Sequence, residues 1–377
     1  MVPIRTRNKQ KQSMPCHAMP YNAIAVNINI NMPNEQFKNN NDHIDYDELI
    51  INYHDAVIYG SDLHRFERRT EWLNDSCIHF FFAVLAQQQQ QQSMSLQSSF
   101  LFLEPSVASF WMHQCVDRDE IEDFVRSTKF PGRTGNSCNG NGNDDTSSNS
   151  NANGNDGGLI FVAVNDTMST TAGDGDDSWK TPNSGNHWSL LVMEVTNATT
   201  NTKTAPSSSS RLSFWHFDSI RNSGNIRAAE DIARKMRVHV YPNAEIVTER
   251  KTKATATGTK TMLVRAAETP QQRNGYDCGV HVLGSARIIS NNYYHSCSSA
   301  STATTDAAAA AAKKARTLTT ARRSSRLEQL EDCLRKGIGR ENTNAPQPEL
   351  FCAELRAEIS SEIRKLYDGK KKGKERK

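Results

Sequence analysis

The chain of 377 residues predicts an α+β fold: a central mixed sheet flanked by helices and broken by long low-complexity insertions. Three observations lead there. Leu159–Val164, Trp188–Val195 and Leu212–Phe217 are apolar runs with the composition of buried strands. Ile78 to Leu85, Ile226 to Met236 and Leu350 to Leu366 have the apolar content and spacing of helices. Between these lie runs of Asn, Ser, Thr, Gly and Gln that cannot bury a core. Setting them aside leaves roughly 190 patterned residues, the size of one compact domain.

In chain order, residues 1–44 are rich in Asn and Gln and are expected to be a disordered tail. One domain is expected over 45–298, with surface insertions near 87–99, 132–158, 165–186, 196–211 and 249–261. Its first buried positions are Leu49, Ile50, Ile51, Tyr53, Val57 and Ile58. Trp72-Leu73-Asn74-Asp75 opens a buried helix, for which Asn74 or Asp75 is the N-cap. The Gln87–Gln92 run extends or frays the end of that helix. Phe100 to Val125 reads as two short helices around a turn at Pro105, and 196–211 as an elongated hairpin loop between two strands. A helix follows over 225–238, with Asn222 or Ser223 near its start, then a short strand over Met262–Ala266. Beyond the domain come a low-complexity linker (299–325), helices docked on the body (326–367) and a basic tail (368–377).

Composition excludes several classes. The formal net charge is +3, with the basic excess at the two ends and a mildly acidic body between them. That balance argues against a nucleic-acid partner and suits a positively charged protein substrate. The eight cysteines include no C-x-x-C pair, which argues against a disulfide framework or a zinc site. The first thirty residues lack a continuous apolar run, and Ile78–Ala86 is too short to cross a bilayer. A soluble, monomeric protein of the cytoplasm and/or nucleus, with no membrane partner, is expected.

The chemistry centres on Thr269–Leu283, T-P-Q-Q-R-N-G-Y-D-C-G-V-H-V-L. A polar, turn-prone run delivers Cys278 to the start of an apolar helix. There, unpaired backbone N–H groups and the helix dipole favour the thiolate. The bland alternative is a small buried cysteine that packs a helix. A nucleophilic cysteine needs a base, a group that orients the base, and donors for the oxyanion. His187 sits at the mouth of the strand W-S-L-L-V, and Asp218 ends the next strand, S-F-W-H-F. If those strands pair as a hairpin, the two side chains become neighbours. His216 is the competing base, but it lies inside the strand, so His187 is preferred. Gln272, six residues before Cys278, can offer its amide N–H to an oxyanion beside the Cys278 backbone N–H.

The joint pattern H-W…F-D-S…P-Q-Q-x-N-G-Y-D-C-G resembles the Ulp/sentrin-specific cysteine proteases of peptidase clan CE. Papain itself and its near relatives place Cys before His and fit poorly. The resemblance covers about Glu48 to Ile289 plus the C-terminal helix. It implies a papain-like/adenain-like cysteine protease fold, with His187 as base, Asp218 as its orienter, Cys278 as nucleophile and Gln272 as oxyanion donor. The sequence is most similar to the deneddylase branch, through W-L-N-D (72–75), L-E-P-x-V-x-x-F (103–110), F-V-A-V-N-D (161–166), H-W-S-L-L-V (187–192) and S-F-W-H-F-D-S (213–219). SUMO-directed relatives typically carry a D-S-x-G-G-type turn after the aspartate; here Asp218-Ser219 runs into Ile220-Arg221-Asn222-Ser223-Gly224-Asn225.

The resemblance further implies a Gly-Gly tail clamped under aromatic rings, for which Trp72 and Trp188 are the candidates. Asp75 would hold the substrate backbone or a basic tail residue, or else cap its helix. The expected activity is cleavage after the Gly-Gly tail of a ubiquitin-like modifier, a Nedd-type modifier and its conjugates first, with no metal or cofactor. A SUMO- or ubiquitin-directed protease of the same fold and a non-catalytic modifier-binding module are the alternatives.

Overall fold

A computed structural model describes residues 44–92, 100–132, 157–168, 187–197, 210–221, 223–247, 263–301 and 348–375. Five of its strands run in the order β3 (Phe100–Leu103), β4 (Gly158–Asn165), β5 (Trp188–Asn197), β6 (Ser210–Phe217) and β7 (Glu245–Ile246), after an N-terminal hairpin of β1 (Leu49–Tyr53) and β2 (Ala56–Tyr59). A further strand, β8 (Arg265–Ala267), pairs with the end of β6. The β3–β4, β6–β7 and β6–β8 pairs are parallel; β4–β5 and β5–β6 are antiparallel. The expected mixed sheet is therefore present.

Between β3 and the central β5 lies β4, G-L-I-F-V-A-V-N, in which every residue is buried. Each fully buried Leu, Ile, Val or Phe contributes about 1.5–3 kcal/mol relative to exposure, so this strand anchors the core. Helices cover the sheet: α1 (Gly60–Glu67), α2 (Asp75–Gln92), α3 (Pro105–His113), α4 (Arg118–Ser127), α5 (Asn225–Lys235), α6 (Cys278–Ser301) and α7 (Pro348–Glu375). The last of these buries Leu355, Ile359 and Ile363 and packs on α1, α6 and β1. No helix among the described residues is long and apolar enough to cross a membrane.

Several boundaries differ from the sequence expectation. Ile44 is buried and belongs to the core, not to a tail; 1–43 lie outside the described residues. Gln87–Gln92 extends α2, as one reading of that run expects, and so is not part of the insertion placed near 87–99. Gln is a good helix former, and Gln89 is buried, its amide donating to Asn291 Oδ1 (3.2 Å). Phe100–Leu103 is a strand and not the start of a helix, because Phe102 stacks on Phe161 (4.6 Å between ring centroids) in parallel register with β4. Gly158, Asn165, Thr196, Asn197, Ser210 and Arg211, assigned to insertions, are strand residues. The sequence did not single out β7, and the short last strand is Arg265–Ala267. The linker and first docked helix expected over 302–347 lie outside the described residues, whereas 368–375 continues α7.

Two local devices position the functional end of the molecule. His54 and Asp55, both at positive φ, make a two-residue turn between β1 and β2, whose primed geometry matches strand twist. Gly279 lies so close to α2's leading segment that a Cβ there would sit 2.9 Å from Leu73 Cβ. Leu73 Cβ is fixed to its backbone and cannot swing aside. Gly279→Ala is therefore expected to cost about 1–3 kcal/mol through overpacking, read as a lower midpoint in denaturant unfolding.

Candidate active site

The hairpin register brings the predicted base and orienting carboxylate together. In β5–β6, Leu190 lies opposite Phe217, so the residues just before β5 and just after β6 share one edge. His187 Nε2 is 2.6 Å from Asp218 Oδ1. The second carboxylate oxygen of Asp218 accepts the Ser223 hydroxyl, and Oδ1 also accepts the Ile220 N–H (2.8 Å). These donors hold the Asp218 carboxyl below its usual range despite burial, which alone would raise it.

His187 is buried, and burial by itself disfavours its charged form. The hydrogen bond to Asp218, followed by the interaction with Cys278, outweighs that and raises its pKa to about 9. Its other ring nitrogen, Nδ1, is buried without a hydrogen bond of normal length, so the imidazole keeps one nitrogen for chemistry. The competing His216 is excluded by geometry. It points into the core, where Nε2 meets Ser189 Oγ at 2.8 Å, and burial pushes its pKa down to about 4.

Cys278 is the first residue of α6 and is 1% exposed. It floors a small recess lined also by Trp188, Phe217, Ser219, Thr269, His281 and Ser285. The loop before it is laid along the end of β6 by three contacts. Gln272 N–H donates to Ser219 O (2.9 Å), Ser219 Oγ to Gln272 Oε1 (2.6 Å), and the Thr269 hydroxyl to Asp218 O. Gln271, adjacent to the predicted oxyanion donor, bonds Asp218 O through its amide (3.1 Å). Asn274 then shapes the turn, its Oδ1 accepting the Tyr276 and Asp277 N–H groups (3.1 and 3.0 Å). The Asp277 carbonyl takes the first helical bond, from His281 N–H (2.9 Å).

The remaining predicted residues divide. Trp188 lines the Cys278 recess and donates its indole N–H to Leu73 O (3.0 Å), so it is both wall and core. Trp72 is partly exposed and does not line that recess; its carbonyl accepts from Arg65 Nη1 (3.1 Å). Asn74, not Asp75, caps α2: Asn74 Oδ1 accepts the Cys77 N–H (3.0 Å). Asp75 follows in the first turn, and burial raises its carboxyl pKa. Gln272 donates one amide N–H to Asn274 O (2.6 Å), and the amide's second N–H makes no recorded hydrogen bond among the described residues.

Sequence reasoning missed Asn225. Fully buried, its amide donates to Val164 O (3.3 Å), His187 O (3.1 Å) and Ser189 Oγ (3.0 Å), pinning the strand end that carries His187. The sequence marked Asn225 only as the last residue of the turn that follows Asp218. Asp277 was also missed; the sequence marked it only as a neighbour of the cysteine.

The pKa of His187 has a stability consequence. A folded value near 9, against 6.5 in an unperturbed histidine, adds stability that is complete below pH 6.5 and lost as pH rises through 9. Denaturant unfolding across pH 6 to 10 should show that decline in the wild type and a much shallower one in Asp218→Asn.

Known proteins bear on the same residues. Positions 159–319 match the Ulp1 protease family, C-terminal catalytic domain. The chain is 27% identical over 243 residues to NEDD8-specific protease 1 of Arabidopsis thaliana, covering 64% of this chain and 76% of the relative. To sentrin-specific protease 8 of Rattus norvegicus it is 23% identical over 247 residues, covering 65% and 81%. A crystal structure of the de-sumoylating protease aligns at a TM-score of 0.38 and 14% identity, over 83% of this chain and 93% of that one. The matched segment holds the buried strands, the His187–Asp218 edge and Cys278 at its helix start, so this chain carries a stretch similar to the Ulp1 catalytic domain and is a cysteine protease.

Proposed function

We propose that this protein is an isopeptidase and C-terminal hydrolase that cleaves after the Gly-Gly tail of a ubiquitin-like modifier, the Nedd-type modifier first. The observation that carries the reading is a buried cysteine at a helix start, in a recess walled by Trp188, that interacts with a histidine paired to aspartate. Cys278 Sγ, its proton already held by His187, attacks the carbonyl of the modifier's last glycine. The resulting oxyanion is met by the Cys278 backbone N–H, which as a first-turn donor has no partner within the helix, and by the remaining Gln272 amide N–H. The C–N bond then breaks, His187 protonates the leaving amine, and a thioester remains. Water, deprotonated by His187, hydrolyses the thioester and frees the modifier's carboxylate. Asp218 fixes the ring throughout and balances its charge.

A 1% exposed thiol beside Trp188 supports a glycine tail, since a side chain on the final residues would collide with the indole. The Nedd-type preference is supported by relatives whose names carry it and by the turn after Asp218, which lacks the D-S-x-G-G form.

The test uses Nedd-, SUMO- and ubiquitin-type modifiers, each bearing a C-terminal fluorogenic amide or an electrophile. Wild type should turn over and label the Nedd-type probe fastest, and Cys278→Ala should do neither. Preference for SUMO would overturn the modifier assignment; no reaction with any probe, or equal labelling of Cys278→Ala, would overturn the protease reading. Asp218→Asn should retain labelling at a reduced rate, with kcat lower by roughly 10²–10⁴ because the ring loses its orientation.

A further inference from the structure

The most heavily bonded buried cation among the described residues lies outside the matched catalytic segment. Arg356, on α7, is 2% exposed. Its guanidinium donates to Arg65 O (2.7 Å), Glu71 O (2.8 Å) and Tyr276 O (3.2 Å), and to Asp277 Oδ1 through Nη2 (3.1 Å) and Nε (3.3 Å). These acceptors belong to two separate stretches. Arg65 and Glu71 precede the 72–74 segment, whose Leu73 meets Trp188 and crowds Gly279. Tyr276 and Asp277 immediately precede Cys278. The other carboxylate oxygen of Asp277 accepts Asn274 Nδ2 (2.8 Å), which leaves the loop little room to shift.

We infer that Arg356 is a positioning residue for the nucleophile: it clamps the Cys278 loop to the 65–74 wall and makes α7 a working part of the active site. The planar fork suits this task, because one group reaches three carbonyls and a carboxylate in fixed directions, which a lysine ammonium cannot do. The inference rests on the reading of Cys278 as nucleophile. A displacement of the thiol by about an ångström can cost on the order of 10²-fold in rate, so loosening this clamp should appear in kcat before KM.

The experiment compares full-length wild type, Arg356→Met, Arg356→Lys and a control, Arg287→Met. Arg287, on α6, donates through Nη1 to both carboxylate oxygens of Glu358 on α7 (2.9 and 2.8 Å). The readouts are Tm, the rate of Cys278 labelling, and kcat and KM per titrated site on the preferred modifier's fluorogenic amide. Arg356→Met should lower kcat and labelling at least about tenfold at near-constant KM. Arg356→Lys should recover Tm more than kcat, and Arg287→Met should lower Tm while keeping wild-type kcat. Unchanged kcat in folded Arg356→Met, or an equal loss in Arg287→Met, overturns the inference. If neither Arg356 variant folds, Asp277→Asn decides: a folded protein with wild-type kcat overturns it, and a tenfold loss supports it. Wild type that fails to label at Cys278 instead refutes the protease reading.

Discussion

The antiparallel pairing of β5 with β6 is the constraint on which the site depends. His187 and Asp218 are separated by thirty residues of sequence, and neither touches the other until Leu190 comes to lie opposite Phe217. A slip of β6 by one residue would turn its buried side chains to the opposite face and unmatch them from β5. Leu190, Leu191, Val192, Leu212, Phe214 and Trp215 are all at most 3% exposed, so the core itself forbids the slip. Hydrophobic register thus sets a catalytic distance.

On that edge the polar network is nearly closed, as low-dielectric surroundings require. Asn225 reaches from the first turn of α5 to the backbone of both β4 and the His187 strand end, and Ser223, just ahead of it, takes the free oxygen of Asp218. One helix start therefore supports both members of the pair. The nucleophile comes from another direction. β8 runs parallel to the end of β6, so the chain leaving it passes directly over Asp218 and Ser219 before turning at Asn274 into α6. Pairing of β6 with its neighbours on either side thus delivers base, orienter and thiol to one place.

Much of this was legible in the sequence because it rests on local pattern. The runs at 159–164, 188–195 and 212–217 are apolar enough to be strands whatever surrounds them, and the hairpin between the last two already implies the His187–Asp218 pairing. What could not be read rests on distant partners. Phe100–Leu103 has no alternation, and only its parallel match to β4 makes it a strand. Gln87–Gln92 resembles an insertion by composition, yet Gln89 finds its partner some two hundred residues away in Asn291. Arg356 sits in an ordinary amphipathic helix, and its counterion lies 79 residues earlier. Polar residues gain meaning from what they touch, and sequence spacing does not give that.

The same geometry explains how the chain accommodates long polar insertions. β5 is ten residues long, so its far end lies about 30 Å from the His187 edge at some 3.3 Å per residue. Asn197 and Ser210, which pair with each other, lie at that far end. Doubling the length of the connection between them adds only about 0.6 kcal/mol of closure entropy, small beside the burial that fixes the register. The segment from Met168 to His187 is placed otherwise, since it joins the sheet at the catalytic edge itself. There the backbone of His187 is held by Asn225 and its ring by Asp218, so the two bonds isolate the base from whatever length of chain precedes it. One end of the hairpin thus lies far from the base, and at the other end hydrogen bonds fix the base itself.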